Sequence, residues 1–229
     1  MSVLQTIWLI VRKDLTIETR SGEIAFTTLF FAISCVLAFA FALVREGKPP
    51  EDGGAGVLWI AIMFSGNLAL GRTFERERQS ETLRALLLAP ASRPAIYLGK
   101  LLGLMALLTA AELLLVPLVA YFFQAPMFRH PFWLTLIVVA GTMGFASVGT
   151  LFAAMLVRAR SRDMLLPVLL YPLTFPVIMA GVRGTTALLQ PEVDYALVRF
   201  WVQLLISFDA VFITLALWTF ESLMTDEPR

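Results

Sequence analysis

The sequence is short of the residues from which most catalytic and metal sites are built. Its 229 residues include one histidine and one cysteine, with 17 acidic residues against 18 basic ones. A single cysteine excludes an intrachain disulfide framework and a cysteine-cluster metal site. The net charge of +1 provides no basic stripe for phosphates, which argues against nucleic acid as a partner. The chain has no GxxxxGK[ST] phosphate-binding loop and no CxxCH haem-attachment motif, so ATP hydrolysis through such a loop is excluded.

What the chain has in abundance is apolar sequence. Hydrophobic residues make up 59% of it, charged residues only 15%, and the mean hydropathy is +0.80. A soluble domain of this size cannot bury so much apolar surface in one core. Because a spanning helix needs roughly 20 mainly apolar residues, we predict an all-α membrane protein with six transmembrane helices in one domain, 1–229. The expected spans are about 24–44, 56–73, 95–123, 132–157, 163–182 and 202–224.

The first 22 residues predict a separate amphipathic helix. Apolar residues recur at helical spacing, and the charged residues lie mostly off their stripe. Such a helix is expected to lie on the membrane surface. The alternative is that this segment is the frayed start of the first span. The stripe consists of Val3, Leu4, Ile7, Ile10, Val11, Leu15 and Ile17.

The distribution of lysine and arginine predicts the orientation. With the N-terminus in the cytoplasm, the inside segments hold 13 of these residues and the outside segments hold 5. Cytoplasmic segments of membrane proteins carry such an excess. Both termini are therefore predicted to be cytoplasmic, and the connection between the second and third spans becomes the main cytoplasmic loop.

That loop contains the most charged stretch of the chain, "FERERQSETLRALLLAP", over residues 74–90. Charged residues come first, an apolar ridge at i, i+3 and i+4 follows, and a proline ends the helix. We interpret it as a rigid cytoplasmic helix of about 74–90 that a soluble partner could bind. The alternative is a charged anchor that only fixes topology. The charged residues are Glu75, Arg76, Glu77, Arg78 and Glu81, the ridge is Leu83, Leu86 and Leu87, and the stop is Pro90.

Four stretches in this order resemble the CcmB family, the haem exporter B permeases of cytochrome c maturation. They are "VRKDLTIETRSGE", "FERERQSETLRALLLAPASRPAIYLGKLLG", the proline-rich "LLPVLLYPLTFPVIMAGV" and "LISFDAVFITLALWTFESLMTDE". The resemblance covers essentially the whole chain, including length and number of spans. One departure is Glu81, since the family pattern leads us to expect a small residue before Thr82.

The resemblance implies an ABC-2-like permease, a non-catalytic membrane subunit whose ATP is hydrolysed by a separate partner. The 74–90 segment would be its coupling helix. Its contact residues would be those listed above together with Thr82. The implied partners are an ABC ATPase (CcmA-like), a haem-handling membrane protein (CcmC-like), a haem chaperone (CcmE-like), a second permease copy and the lipid bilayer. No cofactor is expected to bind directly, and haem would be the species transported or handled. The implied location is the bacterial cytoplasmic (inner) membrane.

Two ionisable residues, Glu112 and Asp209, fall within apolar spans, in the half that this topology places outside. Such residues usually face the bundle interior and mark function, although a structural hydrogen bond explains them equally well. The single histidine, His130, lies in an external turn and is a poor candidate for a haem ligand.

Small residues and prolines predict two further features of the spans. Gly141, Gly144 and Gly149 would allow close helix contact in span four. Three prolines in span five predict a kinked or two-part helix, and residues 182–200 are expected to form short helices at the outer surface. The prolines are Pro167, Pro172 and Pro176.

Three rival interpretations stay open at this point. An ABC-2-type permease that exports a lipid, polysaccharide or drug would share the surface helix, the loop and the six spans. An intramembrane enzyme would need paired His, Asp or Glu clusters, for which one external histidine is poor material. A purely structural membrane subunit would not need a long charged cytoplasmic helix, although it could have one.

Overall fold

The computed structural model describes residues 2–46, 48–50, 52–79, 92–156 and 162–223. This part of the chain folds into seven α-helices and no β-strand, with one isolated bridge between Arg45 and Lys48. A 3-10 turn, Met127–Arg129, precedes the fifth helix. The helices are α1 (Val3–Ser21), α2 (Glu23–Leu43), α3 (Gly53–Gln79), α4 (Arg93–Phe122), α5 (Pro131–Met155), α6 (Arg162–Leu189) and α7 (Tyr195–Leu223).

Helices α2 to α7 are each long and apolar enough to cross a membrane, which confirms the predicted all-α fold with six spans. With 30 residues, α4 is about 45 Å long, compared with about 30 Å for the hydrocarbon core. One end of α4 therefore extends beyond the apolar layer. Helix α3 is also longer than its expected span, 56–73, and continues unbroken through the first residues of the 74–90 segment.

The first helix is a separate element and not the start of the first span. A capping box at Ser2 and Gln5 begins it, satisfying two otherwise unpaired amides. Gly22 ends it with a left-handed φ of +63°, a conformation that glycine adopts without steric cost. The predicted apolar stripe is divided: Ile10 is buried in the protein, whereas Leu4 remains 79% exposed.

Helix α5 occupies the centre of the bundle and packs against α3, α4, α6 and α7. Its glycines are the points of closest approach, as predicted from the sequence. A Cβ on Gly141 would lie less than 3.0 Å from the indole of Trp59, and one on Gly149 would lie 2.7 Å from Leu70. The indole also fits against Gly181 of α6, and its Nε1–H donates to the Thr185 hydroxyl at 3.0 Å.

Of the predicted kinked or two-part fifth span, the two-part form is wrong, because α6 runs as one α-helix through all three prolines. Each proline removes a single backbone donor, and the other bonds of the helix hold it together. The expected short helices in 182–200 are also absent from the described chain: α6 continues to Leu189 and α7 begins at Tyr195. Asp194 caps α7, since its Oδ1 accepts from the amides of Ala196 at 2.9 Å and Leu197 at 3.1 Å.

Candidate functional site

Only some of the predicted coupling residues lie in the part of the chain that the structure describes. Glu75 and Arg76 lie in the last turns of α3, and the backbone of Glu77 and Arg78 continues that helix. The remaining predicted residues lie outside the described residues, and their contact with a partner stays a prediction. They are Glu81, Thr82, Leu83, Leu86, Leu87 and Pro90.

Arg76 joins the end of α3 to the turn between α1 and α2. Its Nη1 lies 3.1 Å from Glu18 Oε2, and its Nη2 lies 3.1 Å from Ser21 Oγ and 3.6 Å from Glu23 Oε2. Glu18 is held in place by a second bond, because its Oε1 accepts the amide N–H of Ala25 at 2.7 Å. The left-handed turn at Gly22 brings these acids together around one guanidinium.

A second ion pair joins α1 to the first turns of α4. Lys100 is buried, and its Nζ lies 2.8 Å from Asp14 Oδ2. Lys13 Nζ contacts the other oxygen of the same carboxylate at 3.0 Å. The carboxylate therefore lies between two ammonium groups, one buried and one at the surface.

Two glycines on α4 let α1 approach closely enough for this pair to form. A Cβ on Gly99 would lie 2.8 Å from Ile10 Cβ, and one on Gly103 would lie 3.4 Å from Asp14 Oδ2. The spacing Gly99-x-x-x-Gly103 places both on one face of α4, and this small-residue pattern is typical of close helix contacts in membranes. From the sequence, such contacts were predicted only for span four, although the spacing of this pair on α4 is visible there too.

Together these contacts fix α1 to both helices that flank the 80–91 segment. Arg76 lies three residues before Gln79, where the described part of α3 ends, and Lys100 lies seven residues after Arg93, where α4 begins. A small cleft of about 70 Å³ lies between α1, α3 and α4, with Asp14, Glu18 and Arg76 among its lining residues. A displacement of the 80–91 segment would therefore reach α1 and both helices at once. From the sequence, Lys100 was counted only as a topology signal, whereas Arg76 was also predicted to be a residue of the coupling helix.

The two intramembrane acids do not form one polar site. Glu112 is 4% exposed and accepts a hydrogen bond from the hydroxyl of Thr142 on α5. Asp209 of α7 lies against Gly144, where a Cβ would be 2.8 Å from its Oδ1. Thr142 and Gly144 are two residues apart, so they point to nearly opposite sides of α5. Asp209 also lies at the midpoint of α7, because α7 begins at Tyr195, before the expected start of this span at about residue 202.

His130 is engaged in packing at the other end of the bundle. Its ring contacts Tyr195 edge-on, and Nδ1 lies 3.4 Å from the tyrosine hydroxyl. Its Nε2 is buried within the protein. Nε2 is therefore not presented at the surface of the described chain, and the described residues contain no group of three or more His, Cys, Asp or Glu that could hold a metal.

Comparison with known proteins identifies relatives of this chain. A family model described as CcmB protein matches residues 5–224. The chain is 28% identical over 182 residues to heme exporter protein B of Pseudomonas aeruginosa, covering 80% of this chain and 81% of that protein. It is 26% identical over 172 residues to heme exporter protein B of Rhodobacter capsulatus, covering 75% and 78%. The Escherichia coli K12 protein of the same name is 34% identical over 97 residues, covering 42% and 44%.

Proposed function

The chain belongs to the CcmB protein family, and from this premise we propose that it is the membrane permease subunit of an ABC-type complex that exports haem for cytochrome c maturation. The name shared by its relatives, heme exporter protein B, supports this activity. Six spanning helices supply the membrane part of such a machine. It is a multi-pass bacterial membrane protein, and its subunit role is non-catalytic.

The energy source in this proposal is a separate ATPase subunit. The sequence has no phosphate-binding loop of its own, so a partner must bind and hydrolyse ATP. The excess of lysine and arginine supports a cytoplasmic position for both termini and the 80–91 segment, where ATP is available. A CcmC-like haem-handling protein, a CcmE-like chaperone and a second permease copy complete the proposed assembly.

The observation that carries the coupling role is the pair of ionic contacts around the 80–91 segment. Arg76 before it and Lys100 after it both bind acids of α1 at 3.1 and 2.8 Å. The proposed coupling helix therefore extends from two helices that are tied to one another and not from a loose loop. A force that the ATPase applies to this segment would pass into α3 and α4, and from them into the spans.

A second candidate function, in place of haem export itself, is ATP-driven release of a haem-loaded chaperone. The observation that favours it is the engagement of His130, whose ring is packed against Tyr195 with Nε2 buried. Haem handled by a neighbouring protein would need no axial ligand from this chain.

Purification of the tagged protein from its native host in mild detergent, followed by mass spectrometry, tests the proposal. We expect an ATPase together with cytochrome c assembly proteins. An ATPase alone would move the substrate to the general exporter class, and no ATPase would overturn the coupling role. In the same assay, charge reversal by Arg78→Glu with Glu81→Lys should release the ATPase, whereas Arg45→Glu at the opposite end of α2 should not.

A further inference from the structure

The indole of Trp59 joins α3 to two other helices at one end of the bundle. Its side chain is fully buried, and its Nε1–H donates to the Thr185 hydroxyl of α6 at 3.0 Å. A Cβ placed on Gly141 of α5 or on Gly181 of α6 would lie less than 3.0 Å from the ring. The ring therefore occupies a space that exists because both positions are glycine. We call the space between Gly141, Gly181 and Thr185 the indole slot.

The indole slot lies at the end of the bundle opposite α1. Trp59 is in the second turn of α3, and Thr185 is in the last two turns of α6. Helix α1 contacts α3 at its other end, through Arg76. A surface hydrogen bond joins the same two elements near the slot, because Gln190 Nε2 donates to Asp52 Oδ1 at 3.3 Å. The proposed topology places this end of the bundle outside.

The backbone of α6 is weakest before the helix reaches the indole slot. Its three prolines, Pro167, Pro172 and Pro176, each lack the amide that would bond the carbonyl four residues earlier. Sharp bends in helices occur at such positions. Residues 177–189, which follow, contain no proline. In the part of the chain that the structure describes, the bond from Trp59 is the only side-chain hydrogen bond between residues 177–189 and another helix.

We propose that Trp59 is the latch of a gate at this end of the permease. While the indole occupies its slot, residues 177–189 are held against α3 and α5. When the indole leaves, this part of α6 moves away from α3, with the bend at the prolines, and the bundle opens between the two helices. Helix α3 is unbroken from Trp59 to Arg76, so a rotation of its opposite end withdraws the ring. The inference rests on the proposed function for the role of the gate in export, whereas the latch itself is tested independently.

Hydrogen exchange of the full-length permease in nanodiscs tests the latch. Thr185→Val nearly keeps the size of the side chain and leaves the buried indole N–H without its acceptor, which weakens the closed state. We expect the amides of residues 177–189 to exchange about tenfold faster, which corresponds to 1.4 kcal/mol, while those of α4 stay as in wild type. Unchanged exchange, or a rise spread evenly over all helices, would overturn the latch.

The matched control for this experiment is Thr174→Val. Thr174 is a fully buried threonine of the same helix, and its hydroxyl donates to the Leu170 carbonyl of α6 itself at 2.8 Å. The variant therefore removes a buried hydroxyl from α6 without touching a bond to α3. Exchange in residues 177–189 should remain at the wild-type rate. A rise equal to that of Thr185→Val would mean that any lost hydroxyl loosens α6, and the latch would be wrong.

A reversible lock tests the role of the gate in export. Asp52→Cys/Gln190→Cys places two thiols where the surface hydrogen bond joins the two elements, and Cys35→Ser removes the single native cysteine. Loss of reaction with a thiol dye shows that oxidation has closed the disulfide. We expect the oxidised permease, purified with its ATPase, to lose at least four fifths of its ATP turnover and to regain it on reduction. The single variant Asp52→Cys should keep its turnover under both conditions.

The outcomes separate this inference from the proposed function. Full ATP turnover in the locked permease would show that the gate does not open in the cycle, and the proposal would be wrong. A wild-type permease that carries no ATPase would overturn the proposed function, and hydrogen exchange alone would then decide the latch. Faster exchange in residues 177–189 of Thr185→Val together with a reversible loss of turnover in the lock would support both.

Discussion

The ion pair between Lys100 and Asp14 predicts that removing the carboxylate lowers the stability of the protein more than removing the ammonium does. The Lys100 side chain is 3% exposed and the Asp14 side chain is 20% exposed. Asp14→Asn would leave a buried ammonium without its carboxylate, and breaking a buried pair in this way costs about 3–5 kcal/mol. Lys100→Met would leave a carboxylate that reaches water and keeps Lys13 at 3.0 Å. Its cost should be nearer about 1–2 kcal/mol, typical of a lost charged hydrogen bond.

Thermal unfolding in detergent measures this asymmetry. Unfolding can be followed by reaction of the single cysteine, Cys35 of α2, with a thiol-specific dye. Since 1 kcal/mol shifts Tm by about 2–4 °C in a chain of this size, Asp14→Asn should lower Tm by roughly 6 °C or more. The double variant with Lys100→Met should recover part of that loss, because it removes the buried charge together with its partner. Equal effects of the two single variants, or strictly additive ones, would refute the reasoning.

Three further predictions concern contacts elsewhere in the bundle. Gly141→Ala places a methyl less than 3.0 Å from a buried indole and should destabilise by about 1–3 kcal/mol; Gly56→Ala, which meets nothing within 4 Å, should be neutral or stabilising in the same Tm assay. Asp194→Ala removes the cap of α7 and should cost about 1 kcal/mol; hydrogen exchange should rise in the first turn of α7 and nowhere else, and uniform exchange would contradict the cap. Arg76→Glu should lower Tm and the stimulation of the partner's ATP hydrolysis by the permease, and Glu18→Arg in the same chain should restore both in part. If nothing is restored, the Arg76–Glu18 ion pair is not the cause of the losses.

The six spans were predictable because the signal is local and strong. An apolar run of about 20 residues has few alternatives to a membrane helix, and every such run became one. The ends of the spanning helices were harder to predict where apolar and polar residues alternate, as in residues 182–200. There the deciding residue is Asp194, whose side chain satisfies two amides at the start of α7. An acid just before an apolar run is a known start signal, and Asp194 was not recognised as one from the sequence.

The contacts of the candidate site could not be predicted in the same way. Asp14 and Lys100 are 86 residues apart, and Arg76 and Glu18 are 58 apart. Nothing in composition or periodicity pairs an acid on one helix with a base on another. The Gly99-x-x-x-Gly103 spacing was a usable local signal, since it indicates a close neighbour on that face. It could not indicate that the neighbour is α1.

The order of synthesis gives the Asp14–Lys100 pair a consequence for how the protein matures. At about 5–20 residues per second, the ribosome takes roughly 4–17 s to make the 86 residues that separate the two partners. During that time α1 has no α4 to pack on, and Asp14 lacks the buried ammonium of Lys100. When α4 emerges, its lysine must enter the forming bundle together with this carboxylate. Helix α1 therefore gains its contact with α4 only after the first hundred residues are made, and a nascent chain arrested before Lys100 should leave α1 open to a protease that the finished protein resists.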